Sequence, residues 1–317
     1  MQRSYVRLAV AVVGLWCVAA LAQRPGARFR VPDTIKVEKD IPYAGTKDPR
    51  QTLDLYLPKS PKGDKPLPLV VNVHGGAWKM GDKSMGVREV ADLVAGGEYA
   101  GASINYRLSG AAKWPAQIHD GKAAIRWLRA HAKKYNLDPD RIGVIGASAG
   151  GHLVAMLGLT DGNADLEGDV GPYPAISSRV SCVVDEFGPT EFLTMGGSHD
   201  AESSPESELI GGALPEHQDE ARAASPITYV SKDAPPFLIL HGNKDPLVPF
   251  RQSEHLAAAL KKAGVECHFI PVRDAGHGGF RSPEVPRRIR RFFDKHLLGR
   301  DVGTISEEPI PNTAPAR

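Results

Sequence analysis

Six short runs of apolar, largely β-branched residues recur along this chain, and their alternation with helical stretches limits what it can fold into. They are Leu69–Val73, Ala100–Asn105, Ile142–Ile145, Val180–Val184, Phe237–Leu240 and Cys267–Val272. A continuous apolar run of this length suits a strand covered on both faces. Two further strand-like runs, Ile35–Asp40 and Leu53–Leu57, come earlier and flank the turn-rich Gly45 to Pro49. Helical patterns fall between the runs. Ala116 to Tyr135 carries Ile118, Ala123, Ile125, Trp127, Leu128 and Ala132 near a 3.6 period, with Pro115 as an N-terminal signal. His152–Leu159, Gln252–Ala263 (stopped by Gly264) and Ile289–Leu298 read the same way. Alternation of strand and helix predicts an α/β domain: one mostly parallel, eight-stranded sheet with helices on both faces, spanning residues 33–298.

The ends differ from this body. Arg3 and Arg7, then the apolar Leu8 to Val18, then Ala20-Leu21-Ala22 follow the order of a secretory signal peptide over residues 1–22. The apolar stretch is short for a membrane span, which needs about 20 residues, and a retained N-terminal anchor is the alternative. Residues 23–32 read as a loose leader, and the Pro-containing 299–317 as a disordered tail. Residues 190–230 break the strand–helix rhythm with Gly196-Gly197, an acidic, Ser-rich patch and Gly211-Gly212, which predicts a short lid-like insertion beside the site.

Composition is that of an ordinary globular chain: 317 residues, 42% hydrophobic and 24% charged, with a formal net charge of +2. Removing 1–22 takes away two arginines and leaves basic and acidic residues equal in number. No field of one sign remains to hold nucleic acid or an anionic membrane. Cys182 and Cys267 fall in strands expected not to be neighbours, which predicts two buried thiols and no bridge. No Cys/His cluster has metal-ligand spacing, and no cofactor or metal is expected.

Four motifs carry chemistry, each just after a strand, where open α/β sheets place their sites. Gly146-Ala147-Ser148-Ala149-Gly150 lies between the strand Ile142–Ile145 and a helix, the setting of a nucleophile elbow. A Gly-rich strand–helix turn can also serve a nucleotide fold, but G-x-G-x-x-G is not present. His74-Gly75-Gly76-Ala77-Trp78 follows Leu69–Val73, and its backbone amides suit an oxyanion. The loop 241–249 offers Asp245 as the acid, and 275–280 offers His277 as the base. The order Ser, Asp, His is the one this kind of elbow uses.

Several other residues compete for these roles. Asp185 also ends a strand and is the second acid candidate. Asp274, three residues before His277, is poorly placed to meet the far ring nitrogen. His74 is expected to brace the oxyanion turn, His241 to fix the Asp245 loop, and His119 and His152 to be structural. Trp78, Phe187 and Pro189 lie near strand ends where substrate would sit, with plain packing as the equal alternative.

With these residues in place, the chain resembles the secreted bacterial carboxylesterases that deacylate plant polysaccharides: feruloyl and acetylxylan esterase-like α/β-hydrolases, relatives of the hormone-sensitive-lipase group. The resemblance covers about residues 33–298 and rests on HGGAW (74–78), GASAGGH (146–152), HGNKDPLVP (241–249) and AGHGGF (275–280). It implies Ser148 as nucleophile, Asp245 as acid and His277 as base, with the amides of Gly76, Ala77 and Ala149 as oxyanion donors. The chain departs from the H-G-G-G turn of hormone-sensitive-lipase relatives and lacks their long N-terminal cap. H-G-G-x-W also occurs in intracellular formamidase-like enzymes. The expected activity is serine-dependent hydrolysis of short acyl esters, acetyl or feruloyl, by a secreted or periplasmic protein. The alternatives are a prolyl-oligopeptidase-like peptidase or an amidase, and a non-catalytic binding module on the same fold.

Overall fold

A computed structural model describes residues 29–313, and the unit from Val31 onward is built on a single sheet. The segment read as an export signal, and most of the leader, lie outside the described residues. Nine strands form the sheet in the order β1-β2-β4-β3-β5-β6-β7-β8-β9. They are β1 (Ile35–Pro42), β2 (Thr52–Pro58), β3 (Leu67–Val73), β4 (Ala100–Ile104), β5 (Leu137–Ala147), β6 (Cys182–Glu186), β7 (Phe237–Gly242), β8 (Cys267–Arg273) and β9 (Ile310–Pro311). Pairing is antiparallel from β1 to β2 to β4, and parallel everywhere else.

The helices in chain order are α1 (Val87–Val94), α2 (Ala116–Ala130), α3 (Ala132–Tyr135), α4 (Ala149–Leu159), α5 (Ala164–Glu167), α6 (Pro205–Ile210), α7 (Gln218–Ala223), α8 (Arg251–Lys262) and α9 (Glu284–Leu298). The central strands divide their side chains by the period of two. Val144, Val183, Phe237 and Ile239 pack with Ile118, Leu153, Leu157, Leu256 and Leu260 of α2, α4 and α8. Ile145, Val184, Leu238 and Leu240 face the other way, onto Ile289, Phe292, Phe293 and Leu297 of α9. Every residue of α4 is buried, which is why its sequence, His152 apart, is apolar or glycine all round and not in a stripe. Cys182 and Cys267 are buried free thiols, kept apart by β7 between β6 and β8.

The expected strand count needs correction, and two further segments hold structure that the sequence reading did not assign. The sheet has nine strands, not eight, because residues read as a disordered tail are ordered up to the last described residue. Arg288 donates to the carbonyls of Ser306 and Glu308, both at 2.7 Å, while Ile305 and Ile310 are buried against the α9 face. Two well-spaced isoleucines and an arginine anchor are enough to order a Pro-containing segment. The helix α1 adds to the expected set, although Val87, Val90, Ala91 and Val94 follow helical spacing and three of them are buried. The 190–230 insertion carries regular structure of its own. It holds α6, α7 and three short 3₁₀ turns, and Phe192, Leu209, Leu214, Ala221 and Ala224 sink into the same core as α4. Local signals build α6: Ser204 caps the Ser207 amide, Pro205 opens the helix, and Gly211 at φ +95° closes it.

Candidate active site

The parallel register of β3 and β5 sets Val73 beside Gly146, so both strands release their loops at one end of the sheet. Ser148 follows β5 at φ +57°, ψ −122°, a strained conformation for a residue with a side chain. The turn is held open from both sides. The Ser148 amide donates to Glu186 O of β6 at 2.9 Å, and a Cβ on Gly150 would lie 2.1 Å from Val73 O. Only glycine fits there, and that fit brings the start of α4 against the oxyanion turn.

The turn after β3 runs through three consecutive left-handed residues: Gly76 (φ +110°), Ala77 (φ +53°) and Trp78 (φ +55°). Its Gly76 carbonyl faces away and accepts from the amides of Lys79 and Met80, both at 3.0 Å. The amides of Gly76 and Ala77, and that of Ala149 at the first position of α4, bond no acceptor among the described residues. Three unpaired donors therefore lie at the start of α4 and in the turn beside Ser148, where a Cβ on Gly75 would stand 3.5 Å from Ser148 Cβ, and one of the three is at a helix N-terminus.

His277, after β8, places Nε2 2.9 Å from Ser148 Oγ and Nδ1 2.7 Å from Asp245 Oδ2. Asp245, after β7, has a buried side chain whose Oδ1 accepts from the amides of Leu247 (2.8 Å) and Val248 (3.0 Å). Burial alone would raise its pKa, but the hydrogen bonds from His241 and His277 hold it well below the usual carboxylate range. The carboxylate can thus keep the Nδ1 proton on His277, leaving Nε2 free to take the proton of Ser148.

The other residues singled out in the sequence take different places. Phe187 (φ +47°) is buried, and its ring meets the His277 imidazole edge-on at 4.8 Å and Phe280 at 5.5 Å. It is a shelf under the base more than an open pocket wall. Pro189 is buried in the following turn. Trp78 is a correction: it is 1% exposed, packed against Phe192, and its indole N–H donates to His152 Nδ1 at 3.2 Å. A side chain enclosed on all sides offers no surface to a substrate.

Asp185 is not brought to His277. One of its oxygens accepts from the Gly188 amide at 2.9 Å, and the other is buried without a partner. Burial pushes its pKa up to about 7. Asp274 points outward and pairs with Lys244. His74 stacks on Tyr106 at 4.3 Å, donates Nδ1–H to Gly75 O at 2.7 Å, and is pushed down to about 4 by burial. His119 bonds Asp165 O on the far side of α2. The sequence did not reveal that the amides of Leu247 and Val248 would cradle Asp245, nor that Phe187 would carry His277. Backbone amides leave no trace in side-chain chemistry, although Pro246 and Pro249 mark the tight loop. Among the described residues, no group of three His, Cys, Asp or Glu side chains is placed to hold a metal ion.

Several known esterases are similar to this chain in sequence and fold. The chain is similar to a truncated carbohydrate esterase from gut microbiota, with 37% identity and a TM-score of 0.78 over 84% of this chain and 98% of that one. It is similar to a bifunctional GH43-CE protein of Bacteroides eggerthii at 38% identity and a TM-score of 0.77, covering 84% of this chain and 36% of the other. Esterase LipC of Mycobacterium tuberculosis is 32% identical over 256 residues, which is 78% of this chain. The match spans 63% of the length of LipC, and likewise 63% of Esterase LipQ from the same organism. The profile of the BD-FAE family matches residues 53–260, most of the sheet and the elbow, acid and oxyanion loops with it, and on that match the chain belongs to the BD-FAE family of α/β-hydrolases.

Proposed function

We propose that this protein is an exported serine carboxylesterase that removes short acyl groups, acetyl or feruloyl, from plant polysaccharide. The observation that carries the reading is the relay Ser148 Oγ, His277 Nε2 and Nδ1, Asp245 Oδ2, at 2.9 Å and 2.7 Å. His277 takes the Ser148 proton as Oγ attacks the ester carbonyl. The oxyanion that forms accepts from the amides of Gly76, Ala77 and Ala149. Collapse expels the alcohol, which leaves with the proton from His277, and Ser148 is acylated. Water, deprotonated by His277, then releases the acid and restores Ser148. The carbohydrate esterases to which the chain is similar support a sugar-linked ester, and the charged, apolar, small-residue order of 1–22 supports export.

The test is hydrolysis of acetylated xylan and methyl ferulate by the wild type and by Ser148→Ala. Release of acetate or ferulate that falls more than about a hundredfold in the folded variant is the expected result. Turnover that survives the substitution rules out Ser148 as nucleophile. Faster cleavage of the matching amides than of the esters replaces the esterase with an amidase or peptidase.

A further inference from the structure

Two of the three candidate oxyanion donors belong to a turn whose conformation the local sequence disfavours. Ala77 and Trp78 both sit at positive φ, and for a side chain as large as tryptophan this is a rare backbone state. It persists only where surrounding contacts impose it. Two hydrogen bonds hold Trp78, besides its ring packing against Phe192. Its carbonyl accepts from the Ser109 amide at 2.9 Å, and its indole N–H donates to His152 Nδ1 at 3.2 Å.

His152 is itself held without slack. It lies on α4, four residues from the nucleophile, and its amide donates to Ser148 O at 3.0 Å. Its Nε2 is 2.7 Å from Ala224 O in the 190–230 insertion. A carbonyl can only accept, so Nε2 carries the proton and Nδ1 is the acceptor that the Trp78 indole needs. The ring is 0% exposed and enclosed by Trp78, Trp114 and Phe192, at centroid distances of 5.1, 5.4 and 5.2 Å. Burial keeps it neutral, pushing its pKa down to about 4, so this tautomer is stable across ordinary working pH.

We propose that His152 is a positioning residue for the oxyanion hole: through Trp78 it sets the Gly76 and Ala77 amides, and through α4 it keeps them in register with the Ala149 amide. It also ties that geometry to the insertion, whose Ala224 carbonyl selects the His152 tautomer. The inference rests on the serine-hydrolase reading above. Donors aimed at an oxyanion matter in the transition state more than in the ground state. Displacing them therefore lowers kcat and the affinity for tetrahedral mimics, with little change in KM.

Three variants of the full chain test this: Trp78→Phe, which removes the indole N–H together with part of the buried ring; His152→Leu, which removes both bonds; and His152→Gln, whose amide can accept from Trp78 and donate to Ala224. Measurements are kcat and KM on a nitrophenyl acetate ester, the inhibition constant of an alkylboronic acid, and the melting temperature. Trp78→Phe and His152→Leu are expected to lose about 10- to 100-fold in kcat, with KM within about threefold and boronic acid affinity falling in parallel. His152→Gln is expected to recover most of the loss. A folded Trp78→Phe whose kcat and boronic acid affinity stay within about twofold of wild type overturns the proposal, as does a defect confined to KM or melting temperature. Should His152→Leu fail to fold, Trp78→Phe and His152→Gln decide by the same criteria. Ser148→Ala is the separating control: if it retains turnover the hydrolase reading fails, and if it is inactive while Trp78→Phe is unaffected only the positioning role fails.

Discussion

His241 Nε2 lies 3.1 Å from Asp245 Oδ2, the same carboxylate oxygen that His277 Nδ1 reaches at 2.7 Å. The His241 nitrogen is also 3.1 Å from Val248 O, and neither partner can donate, so Nε2 carries the proton. Its Nδ1 then accepts from Ser253 Oγ at 2.8 Å. With the two loop amides, Asp245 receives four donors, which is how a buried carboxylate remains ionised.

Removing one of those donors is expected to weaken the relay without dismantling it. His241→Ala should lower kcat about tenfold, the size of a lost charge-assisted hydrogen bond. Asp245 has a depressed pKa in the fold, so its stabilising contribution is present above the ordinary carboxylate range and disappears as pH falls toward the folded value. His241→Ala should raise that folded pKa and move the acid loss of stability to higher pH. An acid unfolding midpoint no higher than that of the wild type would show that His241 does not support the charge.

Asp245→Asn is expected to cut the ester hydrolysis rate by roughly 10⁴, because an amide can present a donor to His277 Nδ1 and select the wrong tautomer. Near-wild-type kcat would remove Asp245 from the role of acid.

Asp185→Asn is expected to change the rate by only a few fold, and its effect on stability should depend on pH. Burial raises the Asp185 pKa from 3.8 to about 7. The neutral acid therefore favours the folded state fully below about 4, and that advantage is lost as pH rises to about 7. Asparagine carries no charge at any pH, so the variant should gain on the wild type between pH 4 and 7, by a few kcal/mol at most. Denaturation at pH 4.5 and at pH 8 measures the difference, and an equal offset at both would refute the assignment.

Acyl preference should peak at acetyl to butyryl in a series of nitrophenyl esters. The insertion spends Phe192, Leu209 and Leu214 on the core, so those side chains cannot line a long apolar groove. Each CH₂ gains about 0.8 kcal/mol only if it is buried. A kcat/KM maximum at ten or more carbons would contradict this reading of the insertion.

Much of this was legible in the residues themselves, and the reasons are local. A strand buried on both faces must be a short apolar run, so the six central strands could be read one by one, whereas the two-residue β9 had no such run. An elbow that crowds its neighbours must be flanked by glycine and alanine, which marked Ser148. Asp245 and His277 stood out because each follows a strand, in the order the elbow requires.

What the sequence by itself determined is therefore the sheet, its two covered faces, and which residues end up at its carboxyl edge. The tertiary structure alone decided what depends on contacts between distant segments. Trp78 turned inward because His152, 74 residues later, offered its indole a buried acceptor, and no property of the HGGAW segment encodes that partner. Asp185 and Asp245 are the same side chain at the end of neighbouring strands, and spacing cannot separate them. The fold separates them: Asp245 meets four donors and is held as an anion, while Asp185 meets one and is driven by burial toward its neutral form. Charge state belongs to the surroundings, and those exist only once the chain has closed.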